Sequence, residues 1–120
     1  NQKPLADTPP KEVLLQVAIG DAQVTTLGAH VMARAYGAAL IEDPARPVWG
    51  LDTVPSGHQG SALVEFEYGL AEPVTNTPPD PSTDPHEYPR RDLAGQAQLH
   101  TFLQTGVVEH TCDGPCGEID

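Results

Sequence analysis

The chain has 120 residues, enough for one small domain with a modest core. Its formal net charge of −11, from 17 acids against 6 bases, repels phosphate backbones and excludes a nucleic-acid partner. No apolar run approaches the roughly 20 residues of a bilayer span, so no membrane span is expected. The N-terminus lacks the charged and apolar regions of a signal peptide, and the numbering is expected to begin inside a longer gene product.

In chain order, residues 1–10 read as an extended lead-in, because Pro4, Pro9 and Pro10 cannot join a ladder or a helix interior. The run Glu12 to Ile19 is almost continuously apolar and stops at Gly20-Asp21, the pattern of a strand buried on both faces of a parallel sheet. Val24, Leu27, Val31 and Ala35 then recur at helical spacing, with Met32 beside them. They predict an amphipathic helix from about Gln23 to Tyr36, stopped by Gly37.

Ala38 to Glu42 is compatible with a short strand or with a turn. From Asp43 to Gly60 the chain is rich in proline and glycine, with Trp49 and Leu51 as its expected anchors. Ser61 to Tyr68 reads as a second clear strand, ended by Gly69. Leu70 to Arg91 is a long loop with His86 near its end, and a helix is expected from about Leu93 to Gln104, with Leu99, Phe102 and Leu103 on one face. The expected architecture is α/β: two parallel strands with two helices and long proline-rich loops. Two such strands would leave open edges, so further strands are expected from an upstream N-terminal segment of the same protein, an identical chain or another subunit.

The tail holds Cys112 and Cys116 with Asp113-Gly114-Pro115 between them. A small disulfide loop is the first reading, two free thiols the second. A metal site is the third, because His110 would bring the ligands only to three where structural zinc wants four. A disulfide points to an oxidising compartment, secreted, periplasmic or on the cell surface.

Asp21 stands just past a buried strand and before a helix, where open α/β sheets bind ligands. An aspartate there is also a common helix N-cap. His86 follows a later strand and precedes a helix, although a single loop histidine is ordinarily solvated. Together they repeat the end of a Ser…Asp…His order. Glu65 and Glu67, two apart on a strand, read as a solvated acidic face. The acids Glu109, Asp113, Glu118 and Asp120 have no fixed calcium-loop spacing, and Trp49 reads as a loop anchor.

Gly20-Asp21-Ala22-Gln23-Val24, closing a buried strand and opening a helix, resembles the acid turn of α/β-hydrolases. The resemblance runs from about Val13 to Gly106, and with the Cys-x-Gly-Pro-Cys tail it is similar to the C-terminal part of large secreted or lipoprotein hydrolases of bacteria. It implies that Asp21 is the triad acid, that Ala62 to Tyr68 is the strand before the histidine, and that His86 is the triad base. It implies further that residues 1–120 are the C-terminal segment of such a domain, with 107–120 as its tail, and that no cofactor is needed. The long stretch between Leu40 and Ser61 leaves Asp43 and Asp52 as alternative acids. His58 precedes the strand and His100 lies mid-helix, so neither suits the base.

No Gly-x-Ser-x-Gly elbow occurs, and Ser56, Ser61 and Ser82 all lack the strand–turn–helix context that exposes a nucleophile. Acid and base without a nucleophile do not turn over an ester, so the isolated chain is expected to be inert. The competing reading is a non-catalytic acidic α/β module for oligomerisation or protein binding.

Overall fold

A computed structural model describes residues 6–75 and 78–117. The first half of the expected lead-in, residues 1–5, and the acids Glu118 and Asp120 lie outside the described residues.

The chain folds into a three-layer α/β unit around a parallel sheet. Strands β1 (Leu14–Ala18), β2 (Ala39–Ile41), β3 (Thr53–Val54) and β5 (Ala62–Phe66) line up in the order β1-β5-β2-β3, all parallel. The sheet therefore has four strands where the apolar runs alone indicated two. β2 and β3 are too short to show a hydrophobic period of their own. A separate two-stranded ribbon joins β4 (His58–Gln59) antiparallel to β6 (Val107–Val108), tying the proline-rich stretch to the tail.

Alternation along the strands divides the core in two. Val17, Leu40 and Leu63 face helix α1 (Thr26–Tyr36) through Ala29 and Ala33. Ile41, Ala62, Val64 and Phe66 face the other way, toward Phe102 of helix α3 (Leu93–Thr105), Val108 and the two cysteines. A short helix, α2 (Tyr88–Arg91), precedes α3 and ends what the sequence presents as one long loop. Gln16 of β1 crosses to α3, its side-chain amide donating to the Gly95 carbonyl (2.8 Å) and to Gln98 Oε1 (3.0 Å). Gln98 is fully buried and satisfied, since its own amide donates to the Glu109 carbonyl (2.7 Å).

The orientation of α1 differs from its expected one. Val24, Leu27, Val31, Met32 and Ala35 are exposed, and the small residues Ala29 and Ala33 meet the sheet. The helix is apolar on two sides, and the smaller side allows the closer approach. It also starts three residues later than expected, because Gln23 and Val24 belong to the preceding turn. On α3 the expected face is likewise split: Phe102 is partly buried, while Leu99 and Leu103 are exposed and Gly95 and Gln98 are buried. Trp49 does not anchor its loop. It is 84% exposed with the Arg34 guanidinium over its ring at 5.5 Å; Val48 enters the core in its place, and Leu51, the other expected anchor, packs partly buried against the same cluster.

Candidate active site

β1 and β5 are hydrogen-bonded neighbours with Ala18 opposite Phe66, so the segments leaving them emerge side by side at one edge of the sheet. The Ile19 N–H extends the pairing by donating to the Phe66 carbonyl (2.8 Å). Gly20 then turns the chain with φ +93°, a conformation in which a side chain is strained. A Cβ there would also press on Leu70 at 3.1 Å. This turn directs Asp21 inward, where it is 5% exposed.

The two carboxylate oxygens of Asp21 have separate tasks. Oδ1 accepts the N–H groups of Gln23 (2.7 Å) and Val24 (2.8 Å), and Oδ2 accepts from His86 Nδ1 (2.8 Å). Asp21 is therefore not the N-cap of α1. That position is Thr25, which makes no side-chain cap, and Asp21 organises the turn ahead of it. An ionised carboxylate only accepts, so Nδ1 carries the proton and Nε2 of the neutral ring keeps its lone pair. The Arg90 guanidinium, which can only donate, lies 3.5 Å from Nε2 and agrees with that tautomer, while the Glu87 carboxylate stands farther off at 4.0 Å. Arg90 is itself held by both oxygens of Glu87 (3.1 and 3.2 Å).

The structure thus brings Asp21 and His86 together and leaves the alternatives elsewhere. Asp52 is used through its carbonyl, which accepts from the Leu40 N–H, and Asp43 sits in the left-handed region at φ 50°. His58 is in β4 and His100 in α3. All three serines have other partners. Ser56 Oγ donates to Glu109 (2.6 Å) and accepts from the His110 N–H (2.7 Å), Ser61 Oγ accepts from the Val13 N–H, and Ser82 Oγ donates to Asp80.

A second charged centre is built on Glu65 of β5, and it overturns the reading of that residue as a solvated acid. The Glu65 side chain has no exposed surface. It accepts from His30 Nε2 (2.7 Å) and from Arg46 through Nε and Nη2 (both 3.0 Å). Arg46 reaches on to both oxygens of Glu72 (3.0 and 2.9 Å), which also accepts from Thr26. The Arg46 guanidinium, then the Thr26 hydroxyl, hold the Glu72 carboxyl down at about 2, and Glu72 and then Glu65 raise Arg46. Glu67, past the end of β5, is exposed as expected.

Cys112 and Cys116 lie at disulfide distance (S–S 2.05 Å, Cα–Cα 5.3 Å). With the sulfurs bonded to one another and His110 Nε2 facing the Gly114 carbonyl (2.9 Å), they do not form the three-ligand metal set. Cys116 caps the sheet, its carbonyl accepting from the Glu67 N–H (2.7 Å). Between this loop, Tyr68, Tyr88, Arg91 and Asp92 lies a cavity of about 660 Å³, lined by neither Asp21 nor His86. Burial, and then the Asp92 carboxylate, raise the Tyr68 phenol at its wall. Among the described residues no helix is long and apolar enough to cross a membrane. Compared with protein-family models, curated proteins and solved structures, the chain matches none.

Proposed function

We propose that this chain supplies the acid and the base of a serine-hydrolase triad, as the C-terminal segment of an α/β-hydrolase of esterase or lipase type. The observation that supports it is the 2.8 Å bond from His86 Nδ1 to Asp21 Oδ2, made by loops that follow adjacent parallel strands at the same sheet edge. In this role Nε2 takes the proton of an attacking hydroxyl, and Asp21 holds the tautomer and stabilises the imidazolium that forms. The nucleophile comes from outside these residues, in an upstream segment or another chain.

Two surface features support completion by further protein. β1 is a sheet edge of sequence Leu-Leu-Gln-Val-Ala with no charge to guard it, and α1 exposes Leu27, Val31 and Met32, with Val24 exposed in the turn before it. The same features favour a second reading, a non-catalytic module that pairs this edge with a partner. The disulfide fits secretion or a cell-surface location.

A fluorophosphonate probe applied to the nucleophile-bearing protein that this reading requires separates the two readings. The hydrolase reading predicts that one serine in a Gly-x-Ser-x-Gly turn is labelled and that His86→Ala abolishes the labelling. No labelled serine, together with a stable strand-paired oligomer of the isolated chain by light scattering, would favour the module.

A further inference from the structure

We infer that Asp84 is a positioning residue that aligns His86 on Asp21, an assignment that rests on reading those two residues as a functional pair. The loop from Gly69 to Glu87 has no helix or strand among its described residues, yet it must hold an imidazole to within a hydrogen bond's tolerance. Near its start it is held by Glu72, through Arg46 and Thr26. Close to His86 the task falls to Asp84.

The Asp84 carboxylate joins the two sides of the site directly. Oδ1 accepts the Ala22 N–H (3.4 Å) from the acid turn and the His86 N–H (3.2 Å) from the histidine's own backbone. Oδ2 accepts from the Gln23 side-chain amide (2.9 Å), again on the acid turn. One carboxylate therefore sets the distance between the backbone that carries Asp21 and the backbone that carries His86. Its neighbours reinforce the placement, since Pro85 is fully buried and the Tyr88 ring packs edge-on against Tyr68 at 5.2 Å. Asp84 faces neither Nδ1 nor Nε2, so it acts through the backbone and not on a reacting atom.

The test is NMR of the 15N-histidine-labelled chain, reading the His86 Nδ1 proton, its exchange with solvent and the ring tautomer. In the wild-type chain a protected Nδ1–H is expected, and Asp21→Asn should remove it. Asp84→Ala should accelerate its exchange by at least about fivefold, the effect of losing one ordinary hydrogen bond from the closed state. Asp84→Asn, which keeps an acceptor for the two backbone N–H groups, should restore most of the protection. Gln23→Ala, which deletes only the Oδ2 arm, should give a smaller acceleration and serves if Asp84→Ala does not fold. A protected Nδ1–H that responds to Asp21→Asn but is unchanged in Asp84→Ala or Gln23→Ala would overturn the role of Asp84 alone. Absence of any protected Nδ1–H in the wild-type chain would overturn the pairing with it.

Discussion

Glu65 and Arg46 form a buried fork: the carboxylate of Glu65, with no exposed surface, takes two N–H groups of Arg46 at 3.0 Å each from a loop 19 residues earlier in the chain. The charge tolerates burial because it is paired and hydrogen-bonded on both oxygens.

Removing Arg46 leaves that carboxylate with His30 alone. Arg46→Ala is expected to cost about 3 kcal/mol in urea unfolding, the low end for breaking a buried pair because Arg46 keeps partial solvent contact. Arg46→Met with Glu65→Gln, which removes both charges, should cost less. A loss below about 1 kcal/mol for Arg46→Ala would show that the fork contributes little.

Glu72 makes the fold sensitive to acid. Its carboxyl is held at about 2, below the ordinary range, so its contribution is fully present above the unfolded value near 4.5 and is lost as pH falls toward 2. The urea midpoint of the wild-type chain should therefore fall between these values by more than that of Glu72→Gln. Parallel pH profiles for the two would contradict the assignment.

Gly20 is needed twice, for φ +93° and for its contact with Leu70. Gly20→Ala is expected to destabilise by about 1–3 kcal/mol and to weaken protection of the His86 Nδ1 proton, because the turn it strains carries Asp21. Thermal melting and the NMR signal read the two effects separately.

The tail loop closes only five residues, from Cys112 to Cys116, so its effect on chain entropy is modest. Replacing both cysteines with serine should cost about 2 kcal/mol, measured against the oxidised chain under non-reducing conditions. A loss near zero would show that the packing of the tail, including the Cys116 carbonyl on the Glu67 N–H, holds without the bridge.

Much of this arrangement is legible in the residues themselves. The apolar run that ends at Gly20-Asp21 marks β1, the run Ser61 to Tyr68 contains β5 (Ala62–Phe66), and His86 follows the second as Asp21 follows the first. What is hidden depends on tertiary structure. Glu65 on a strand looks like any solvated acid, because its partners His30 and Arg46 lie on other elements. The face of α1 is hidden for another reason: Val24, Leu27 and Val31 dominate any helical period, yet Ala29 and Ala33 fit closer to the sheet. Asp84 leaves no periodic signal, since it accepts from the Ala22 N–H and the Gln23 side chain, 62 and 61 residues earlier, and from the nearby His86 N–H.

The proposed triad is tested most directly by ester hydrolysis, with and without Asp21→Asn, in the nucleophile-bearing protein that the proposal requires. Oδ1 of Asp21 accepts two backbone N–H groups, so the carbonyl of an asparagine must take that side and its NH₂ must face His86 Nδ1. That forces the proton onto Nε2, where the ring cannot accept one from a nucleophile. Asp21→Asn is expected to lower kcat by about 10⁴-fold with the fold intact. An Asp21→Asn enzyme that keeps its kcat within a small factor would rule out Asp21 as the acid of the triad.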